Sequence, residues 1–242
     1  MKISILSLFP EMYEGFLNTS IIKKARLKEL VEFEIIDIRS FTIDKHKRVD
    51  DAPFGGGQGM VMFPQPIVDA LRSVRSTDSH VILMTPAAPT FDQVKARDLV
   101  EYQHLILICA HYEGYDERIL NYVDEVLSIG DYVLTGGELA SMVISDAVTR
   151  LVKGVITEDS NLYESFENGL LEYPQYTRPS EFEGQSVPDV LLSGHHENIR
   201  QYRLKESLRK TYQYRKDMLN KLELTKETQK ILEELIKPLK NN

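Results

Sequence analysis

Residues 128–139 carry the pattern in this chain that is most typical of a small-ligand site. They read Ser-Ile-Gly-Asp-Tyr-Val-Leu-Thr-Gly-Gly-Glu-Leu. Thr135 and Glu138 have the spacing of a capping box, in which both side chains accept hydrogen bonds from the first backbone N–H groups of a helix. Gly136 and Gly137 lower helix stability relative to alanine, so another requirement must favour bare backbone there. Close approach of a ligand and a tight loop-to-helix turn both meet that requirement.

A helix is predicted to follow this capping box, because apolar residues recur behind it at three- and four-residue spacing. Gly154 is expected to end the helix, since glycine readily adopts the left-handed conformation that follows many helices. The residues that give this helix one apolar face are Leu139, Met142, Val143, Ala147, Val148, Leu151 and Val152.

A second glycine-rich segment, residues 50–60, reads Asp-Asp-Ala-Pro-Phe-Gly-Gly-Gly-Gln-Gly-Met. Its glycines could expose a row of backbone N–H groups to an anion or to the edge of a base. The segment lacks the Gly-Lys-Ser/Thr ending of a P-loop, and no glycine stands three residues after Gly59 to complete a dinucleotide-binding fingerprint. ATP and NAD are therefore disfavoured, and a flexible loop without a ligand remains the alternative to a binding loop.

Several acids could take part in chemistry. Glu113, Asp116 and Glu117 could bind a cation or a positively charged ligand, although Asp116 is equally placed to cap the next helix. Glu172 stands between apolar residues, a setting in which a desolvated carboxylate becomes a better proton acceptor near neutral pH. An exposed linker acid is the alternative for Glu172.

The remaining features argue against a metal site, an internal disulfide and a membrane-spanning segment. His195 and His196 lack the spacing and the third partner of a zinc site. Cys109 is the single cysteine, which excludes an internal disulfide and fits a reducing cytosol, and its aliphatic neighbours favour a buried strand thiol over a nucleophile. No apolar run approaches the roughly 20 residues that span a bilayer, and the first apolar stretch is too short for a secretory signal. A cytoplasmic protein without a membrane partner is expected.

Charge is unevenly distributed along the chain. The formal net charge of −8 alone would disfavour nucleic acid, because phosphate binding depends on Lys and Arg. Residues 200–216, however, hold seven Lys and Arg and one Glu, a net charge of +6. Tyr202, Tyr212 and Tyr214 are interleaved and could stack on bases or ribose. An RNA-binding surface and a solvated helix face are both consistent with this run.

Short apolar runs alternate with helical patterns through the first two-thirds of the chain, which predicts an α/β fold with a mainly parallel sheet. Ligands collect at the carboxyl ends of parallel strands, so loops 85–89, 111–117 and 128–139 are predicted to form one pocket. The predicted strands are Ile3–Phe9, Val31–Ile38, Val81–Met84, Leu105–Ala110 and Val126–Ile129. The predicted helices between them are Glu11–Leu30, Pro64–Val74, Phe91–Glu101 and Asp116–Val123.

Composition changes after this region, and three parts are predicted. Residues 1–157 form the α/β domain, and the polar, acidic start of residues 158–172 indicates a flexible linker. Residues 173–242 form a small, mostly helical C-terminal domain. Its predicted helices are Glu197–Lys210 and Lys226–Lys237.

Five long motifs, in order along nearly the whole chain, go beyond these generic patterns. They are Val49-Asp-Asp-Ala-Pro-Phe-Gly-Gly-Gly-Gln-Gly-Met60, His111-Tyr-Glu-Gly-Tyr-Asp-Glu-Arg118, Ser128-Ile-Gly-Asp-Tyr-Val-Leu-Thr-Gly-Gly-Glu138, Ser165-Phe-x-x-Gly-Leu-Leu-Glu-x-Pro-x-Tyr-Thr-Arg-Pro179 and Leu191-Leu-Ser-Gly-His-His-x-x-Ile199. Together they resemble the bacterial tRNA (guanine-N1)-methyltransferases of the SPOUT superfamily.

The resemblance implies a deep trefoil knot in the α/β domain, a feature that composition and periodicity cannot indicate. It also implies a homodimer with S-adenosyl-L-methionine bent inside the knot, close to the dimer interface, and held by backbone groups of the three strand-end loops. The residues implied to bind this methyl donor are Met84, Thr85, Pro86, Ala110, Tyr112, Glu113, Ile129, Gly130, Asp131, Tyr132, Val133, Leu134, Gly136 and Gly137.

The implied substrate is tRNA that carries guanine immediately 3′ of the anticodon, preceded by another guanine, and the modification would maintain the reading frame. DNA is not an implied partner, and a magnesium requirement cannot be read from the residues. The residues expected to contact tRNA are Asp50, Gly57, Gly59, Arg178, Arg200, Arg203 and Arg209.

The implied reaction needs a base, because N1 of guanine carries a proton at neutral pH. Glu172 matches the family's catalytic acid position, where many members have aspartate, and is the expected general base. Arg150 or another nearby cation is expected to stabilise negative charge that develops on guanine O6. Two further departures, Ala110 in place of glycine and Ala87-Ala88 in place of Gln-Gly, add methyl groups near the expected donor. The alternatives are another SPOUT RNA methyltransferase and a non-catalytic RNA-binding protein.

Overall fold

The computed structural model describes residues 1–157 and 164–236. The chain divides into two compact units, Met1–Glu158 and Asp159–Asn242. Of the predicted linker, residues 158–163 lie outside the described part of the chain, whereas residues 164–172 belong to the second unit.

A five-stranded sheet forms the centre of the first unit, in the order β2-β1-β6-β5-β7, and every pairing in it is parallel. This confirms the predicted α/β class, and each predicted strand is found with its ends shifted by at most two residues. The strands of the first unit are β1 (Lys2–Ser7), β2 (Glu32–Asp37), β3 (Asp50–Asp51), β4 (Val61–Met62), β5 (Ser79–Met84), β6 (His104–Cys109) and β7 (Glu125–Leu127). The short β3 and β4 pair antiparallel and close the glycine-rich segment into a loop.

Helices cover both faces of this sheet. Successive residues of β6 point to opposite faces, so that Leu105 and Leu107 join one apolar cluster while Ile106 and Ile108 join the other. The helices of the first unit are α1 (Glu14–Leu17), α2 (Ser20–Leu27), α3 (Pro64–Val74), α4 (Gln93–Val100) and α5 (Glu138–Thr149), with 3-10 helices at Pro10–Tyr13, Ile38–Phe41 and Glu117–Tyr122.

The single helix predicted over Glu11–Leu30 is wrong. The Asn18 side chain donates to the carbonyl of Glu14 and the Thr19 hydroxyl donates to that of Gly15. These local hydrogen bonds compete with the helical backbone pattern, and Ser20 then adopts a φ of +48°. The segment consequently forms a 3-10 helix followed by the two short helices α1 and α2.

The apolar face predicted for α5 is only partly buried. Leu139 and Val143 are about half exposed, at 49% and 48%. The face turned inward instead includes the small polar residues Ser141, Ser145 and Thr149 beside Ile144 and Val148. The helix ends at Thr149, well before Gly154. Small residues allow the helix to lie close to the sheet, which periodicity of apolar residues does not reveal.

The second unit is mostly helical and has its own small core, built around Leu170, Leu208 and Leu232. Leu171 donates its backbone N–H to the Thr211 hydroxyl at 2.9 Å, so the chain before residue 172 is attached to the long helix. Its elements are β8 (Glu181–Phe182), β9 (Gln185–Ser186), α6 (Asp189–Leu192), α7 (His196–Tyr214), α8 (Lys216–Leu219) and α9 (Lys226–Ile236). None of the helices in the described ranges has the length and apolar character needed to cross a membrane.

Candidate functional site

Three loops meet where β5, β6 and β7 end, and they enclose a cavity of about 220 Å³. Every residue that the resemblance implied for the methyl donor lines this cavity except Asp131, which is exposed. The lining residues that the sequence interpretation did not name as donor-binding are His111, Gly114, Tyr115, Leu127, Ser128, Thr135 and Ala140. They lie within the same three loops or beside them, so continuity along each loop was the signal that could have found them.

The loop after β5 is held against the chain that follows β7. Ser128 donates its backbone N–H to Pro89 at 2.9 Å, and its carbonyl accepts from Phe91 at 2.7 Å. Thr85 donates its backbone N–H to Leu127 at 3.0 Å, and its side chain neighbours Tyr115, whose pKa burial raises. These contacts fix two of the cavity walls relative to each other.

Gly136 and Gly137 are explained by close approach of two chain segments. Gly137 donates its backbone N–H to Ala110 at 2.8 Å, and Gly136 forms an antiparallel bridge with His111. A methyl group on Gly137 would lie 2.7 Å from the Cα of Cys109, and one on Gly136 would overlap the His111 ring. Packing within the protein therefore requires glycine at both positions of this cavity wall, whatever the cavity binds.

The capping box predicted for Thr135 and Glu138 is wrong. Helix α5 begins at Glu138 with Gly137 at the cap position, and no side chain caps it. Glu138 is only 2% exposed, and its Oε1 accepts from the Ser7 hydroxyl at 2.8 Å. Its Oε2 lies 3.8 Å from Nε2 of His111. A carboxylate at the first turn is favoured by the helix dipole, and this one joins the end of β1, the loop after β6 and the start of α5.

A second buried polar cluster lies beside it. The Tyr13 hydroxyl is 2.8 Å from Oγ of Ser141 and 3.3 Å from Sγ of Cys109. Burial raises the pKa of the Cys109 thiol to about 12 and also raises the pKa of Tyr13. Both groups are neutral at physiological pH, and the prediction of a buried strand thiol at Cys109 is confirmed.

The glycine-rich loop adjoins the same cavity through Glu113. Glu113 donates its backbone N–H to Met60 at 3.0 Å, and Met62 donates its own to Gly114 at 2.9 Å. Gly59 has a φ of +81°, and a methyl group there would overlap the Glu113 side chain. The loop therefore lies against the second cavity wall, with Asp50 at its base in β3.

The family model described as tRNA (Guanine-1)-methyltransferase TrmD matches residues 1–221. The chain belongs to this methyltransferase family. Relatives named tRNA (guanine-N(1)-)-methyltransferase are 54% identical over 241 residues in Dictyoglomus turgidum, covering 99% of this chain and 98% of the relative. The relative in Clostridium acetobutylicum is 53% identical over 234 residues, covering 96% of each chain. The relative in Staphylococcus haemolyticus is 51% identical over 245 residues, covering 100% of each chain. The predicted resemblance and the predicted methyltransferase activity are thereby confirmed.

The two residues expected to act in methyl transfer occupy different units of this methyltransferase. Arg150 follows the last residue of α5 in the first unit. Glu172 is half-buried in the second unit, where its backbone N–H donates to the Ser165 hydroxyl at 3.0 Å. The Gln175 side-chain amide donates to Oε1 of Glu172 at 2.5 Å, which orients the carboxylate.

The basic stretch of the methyltransferase forms much of α7, and acids partly neutralise it. Arg200 pairs with Glu197 at 2.9 Å and with Glu227 at 2.6 Å, while Arg209 pairs with Glu206 at 2.6 Å. Two of these acids lie outside residues 200–216, so counting charge within that window overstated the positive charge of the surface. The Arg203 guanidinium instead lies 4.7 Å from the ring centroid of Tyr173.

The structure also locates the remaining candidate residues of the methyltransferase. Asp116 accepts from the backbone N–H of Arg118 at 3.0 Å, which confirms its predicted role as a cap, although the helix that follows is of the 3-10 type. Ala110 lines the cavity, whereas Ala87 and Ala88 do not. His196 begins α7. Within residues 1–157 and 164–236, no cluster of three or more His, Cys, Asp or Glu could hold a metal ion.

Proposed function

We propose that this methyltransferase transfers a methyl group from S-adenosyl-L-methionine to N1 of the guanine immediately 3′ of the anticodon in tRNA, where another guanine precedes it. The observation that supports this proposal most strongly is the strand-end cavity, in a chain 51–54% identical to relatives named tRNA (guanine-N(1)-)-methyltransferase. A tRNA substrate is in keeping with a cytoplasmic enzyme.

The cavity suits a compact, largely apolar ligand with a few polar atoms. Leu127, Ile129 and Ala140 supply apolar surface, and the glycines of the third loop leave backbone accessible. These are the groups that would hold the adenosine part of S-adenosyl-L-methionine. The bound donor supplies an electrophilic methyl group, and the protein must supply the base and the orientation.

Glu172 is the proposed general base and removes the proton from guanine N1. Its support is the half-buried position and the hydrogen bond from Gln175, which hold one carboxylate oxygen in place and leave the other able to accept a proton. Arg150 is proposed to stabilise the negative charge that the guanine base, O6 above all, acquires as its proton leaves.

A trefoil knot is the proposed topology of the strand-end region. The support is the path of the chain after β7, which passes Pro89 and Phe91 at Ser128 and then returns to Cys109 and Ala110 at Gly137. If the chain after β7 were threaded through the loop that follows β5, it would contact that loop and then lie against the end of β6. The contacts of Ser128 and Gly137 are in keeping with such a path.

A homodimer is the proposed assembly. Tyr132 and Val133 at the cavity and Leu139 and Val143 on α5 are exposed by 53%, 83%, 49% and 48%. Exposed apolar side chains concentrated in one short segment are typical of a surface that a partner covers. A second copy on this surface would shield α5 and lie beside the cavity.

The proposed function is tested with the purified full-length chain, a labelled methyl donor and two tRNA transcripts that differ only at the anticodon-adjacent guanine. We expect label in 1-methylguanosine from the guanine transcript and none from the adenine transcript. Label at another base or in ribose would indicate a different RNA methyltransferase, and RNA binding without any transfer would contradict the proposal.

A further inference from the structure

A groove of about 990 Å³ lies wholly within the second unit. The segment that follows Glu172 forms one side, and helices α6 and α7 form the other. Among its lining residues are Tyr173, Tyr176, Arg178, Leu191, Ile199 and Arg203. It combines two aromatic rings and two guanidinium groups with an aliphatic floor.

The tyrosines are held from α7. Arg203 lies over the ring of Tyr173, and Tyr176 neighbours Tyr202, whose pKa is raised to about 12 by burial and by that neighbour. Tyr176 is nevertheless 47% exposed. An anchored and accessible ring is suited to stacking, because little side-chain freedom is lost when a flat ligand binds.

The two arginines of the groove differ from the others nearby. Arg200, Arg209 and Arg215 each pair with a carboxylate at 2.6–2.7 Å. In the part of the second unit that the structure describes, neither Arg178 nor Arg203 forms an ion pair. Among the arginines of the described part of the second unit, the two without an ion pair therefore both line the groove.

We propose that this groove binds one unpaired nucleotide of the RNA substrate, with its base against Tyr176 and its phosphate between Arg178 and Arg203. Unpaired nucleotides are the RNA elements that offer both a base face for stacking and an accessible phosphate. The groove begins at the residue after Glu172, and its wall residue Gln175 donates to Glu172. The inference rests on the proposed function and places a neighbour of the target guanine here.

The test measures binding of a fluorescein-labelled anticodon stem-loop RNA to the full-length chain over a range of salt concentrations. We expect Arg178→Gln and Arg203→Gln each to weaken binding severalfold and to lower the slope of log affinity against log salt by about 0.7–1. Tyr176→Ala should weaken binding about tenfold without changing the slope, and Tyr176→Phe should retain binding.

Lys230→Gln is the matched control, because it removes one positive charge from an exposed position on α9 outside the groove. Its affinity and slope should equal those of the unaltered protein. If Arg178→Gln and Tyr176→Ala bind as the unaltered protein does, or if Lys230→Gln loses as much as they do, the groove is not the nucleotide site. If the variants show these binding effects but the unaltered protein transfers no methyl group to guanine, the proposed function fails and the groove assignment stands.

Discussion

Ser7, the last residue of β1, donates a hydrogen bond of 2.8 Å to Glu138, the first residue of α5, across 131 positions of chain. The other carboxylate oxygen of Glu138 lies 3.8 Å from the ring of His111, which lines the cavity. One buried carboxylate thus joins the end of β1, the start of α5 and the cavity wall. We expect Glu138 to act through His111 and the loop geometry, as a positioning residue.

Glu138→Ala should lower the free energy of unfolding by about 1–3 kcal/mol, because the Ser7 hydroxyl would lose its buried acceptor. It should also weaken donor binding by loosening the His111 loop. Thermal denaturation and titration calorimetry with S-adenosyl-L-methionine measure the two effects. Glu101→Ala, at an exposed acid, is the control and should change stability by less than about 0.5 kcal/mol. Unchanged melting and donor affinity in Glu138→Ala would refute the assignment.

Gly137→Ala should destabilise the first unit by about 1–3 kcal/mol and weaken donor binding more than RNA binding, because its methyl group would meet the Cys109 backbone at 2.7 Å. Gly15→Ala provides a matched comparison in α1, where a methyl group meets nothing within 4 Å. That substitution should leave donor binding intact and stabilise the protein by up to about 1 kcal/mol. Equal donor affinities in the two variants would count against the packing explanation.

Glu172→Gln should abolish most methyl transfer while donor binding persists, because the amide cannot accept the guanine proton. Glu172→Asp should retain part of the rate, since it keeps the carboxylate and shortens the side chain by one methylene. The rate of methyl transfer is measured in a single turnover at saturating donor, and the affinity for the donor is measured by calorimetry. The two measurements separate an effect on methyl transfer from an effect on donor binding. A Glu172→Gln protein that methylates at the unaltered rate would rule out the general-base role.

Alkaline pH should destabilise the first unit through Cys109. Its folded pKa of about 12 lies above the ordinary value of 9.0, so the stabilising contribution is complete below pH 9 and is lost as pH rises toward 12. The loss approaches about 1.4 kcal/mol per pH unit within that window. Burial of Tyr13 acts in the same direction at still higher pH. Cys109→Ala should therefore have a flatter stability profile, and parallel profiles above pH 9 would contradict the prediction.

Leu139→Lys combined with Val143→Glu should convert the proposed dimer to a monomer, because charged groups would replace the exposed apolar surface of α5. Light scattering after size-exclusion chromatography measures the mass of each species. Ile43→Lys is the control: Ile43 is 86% exposed and lies near α3, on the other face of the sheet. A double variant that keeps the mass of the unaltered protein would place the interface elsewhere.

The sequence predicted the sheet well because each strand is rich in β-branched or aliphatic residues and is followed by polar or turn residues. It also predicted the three loops of the cavity, since parallel strands bring their carboxyl ends to one edge. The role of Glu138 could not be predicted, because its partner Ser7 is distant in the chain and the local pattern resembled a capping box. The exposure of Leu139 and Val143 was missed for a related reason: periodicity shows that a residue is apolar, but not which surface covers it.

The pairing of β1 with β6 has a kinetic consequence. Lys2 lies beside His104, so the middle of the sheet joins segments about one hundred residues apart. Contacts of such long sequence separation slow folding. At a synthesis rate of roughly 5–20 residues per second, β1 is made at least about 5 s before its neighbour β6 exists. We therefore expect the centre of the sheet to assemble late during translation, with β1 dependent until then on its pairing with β2.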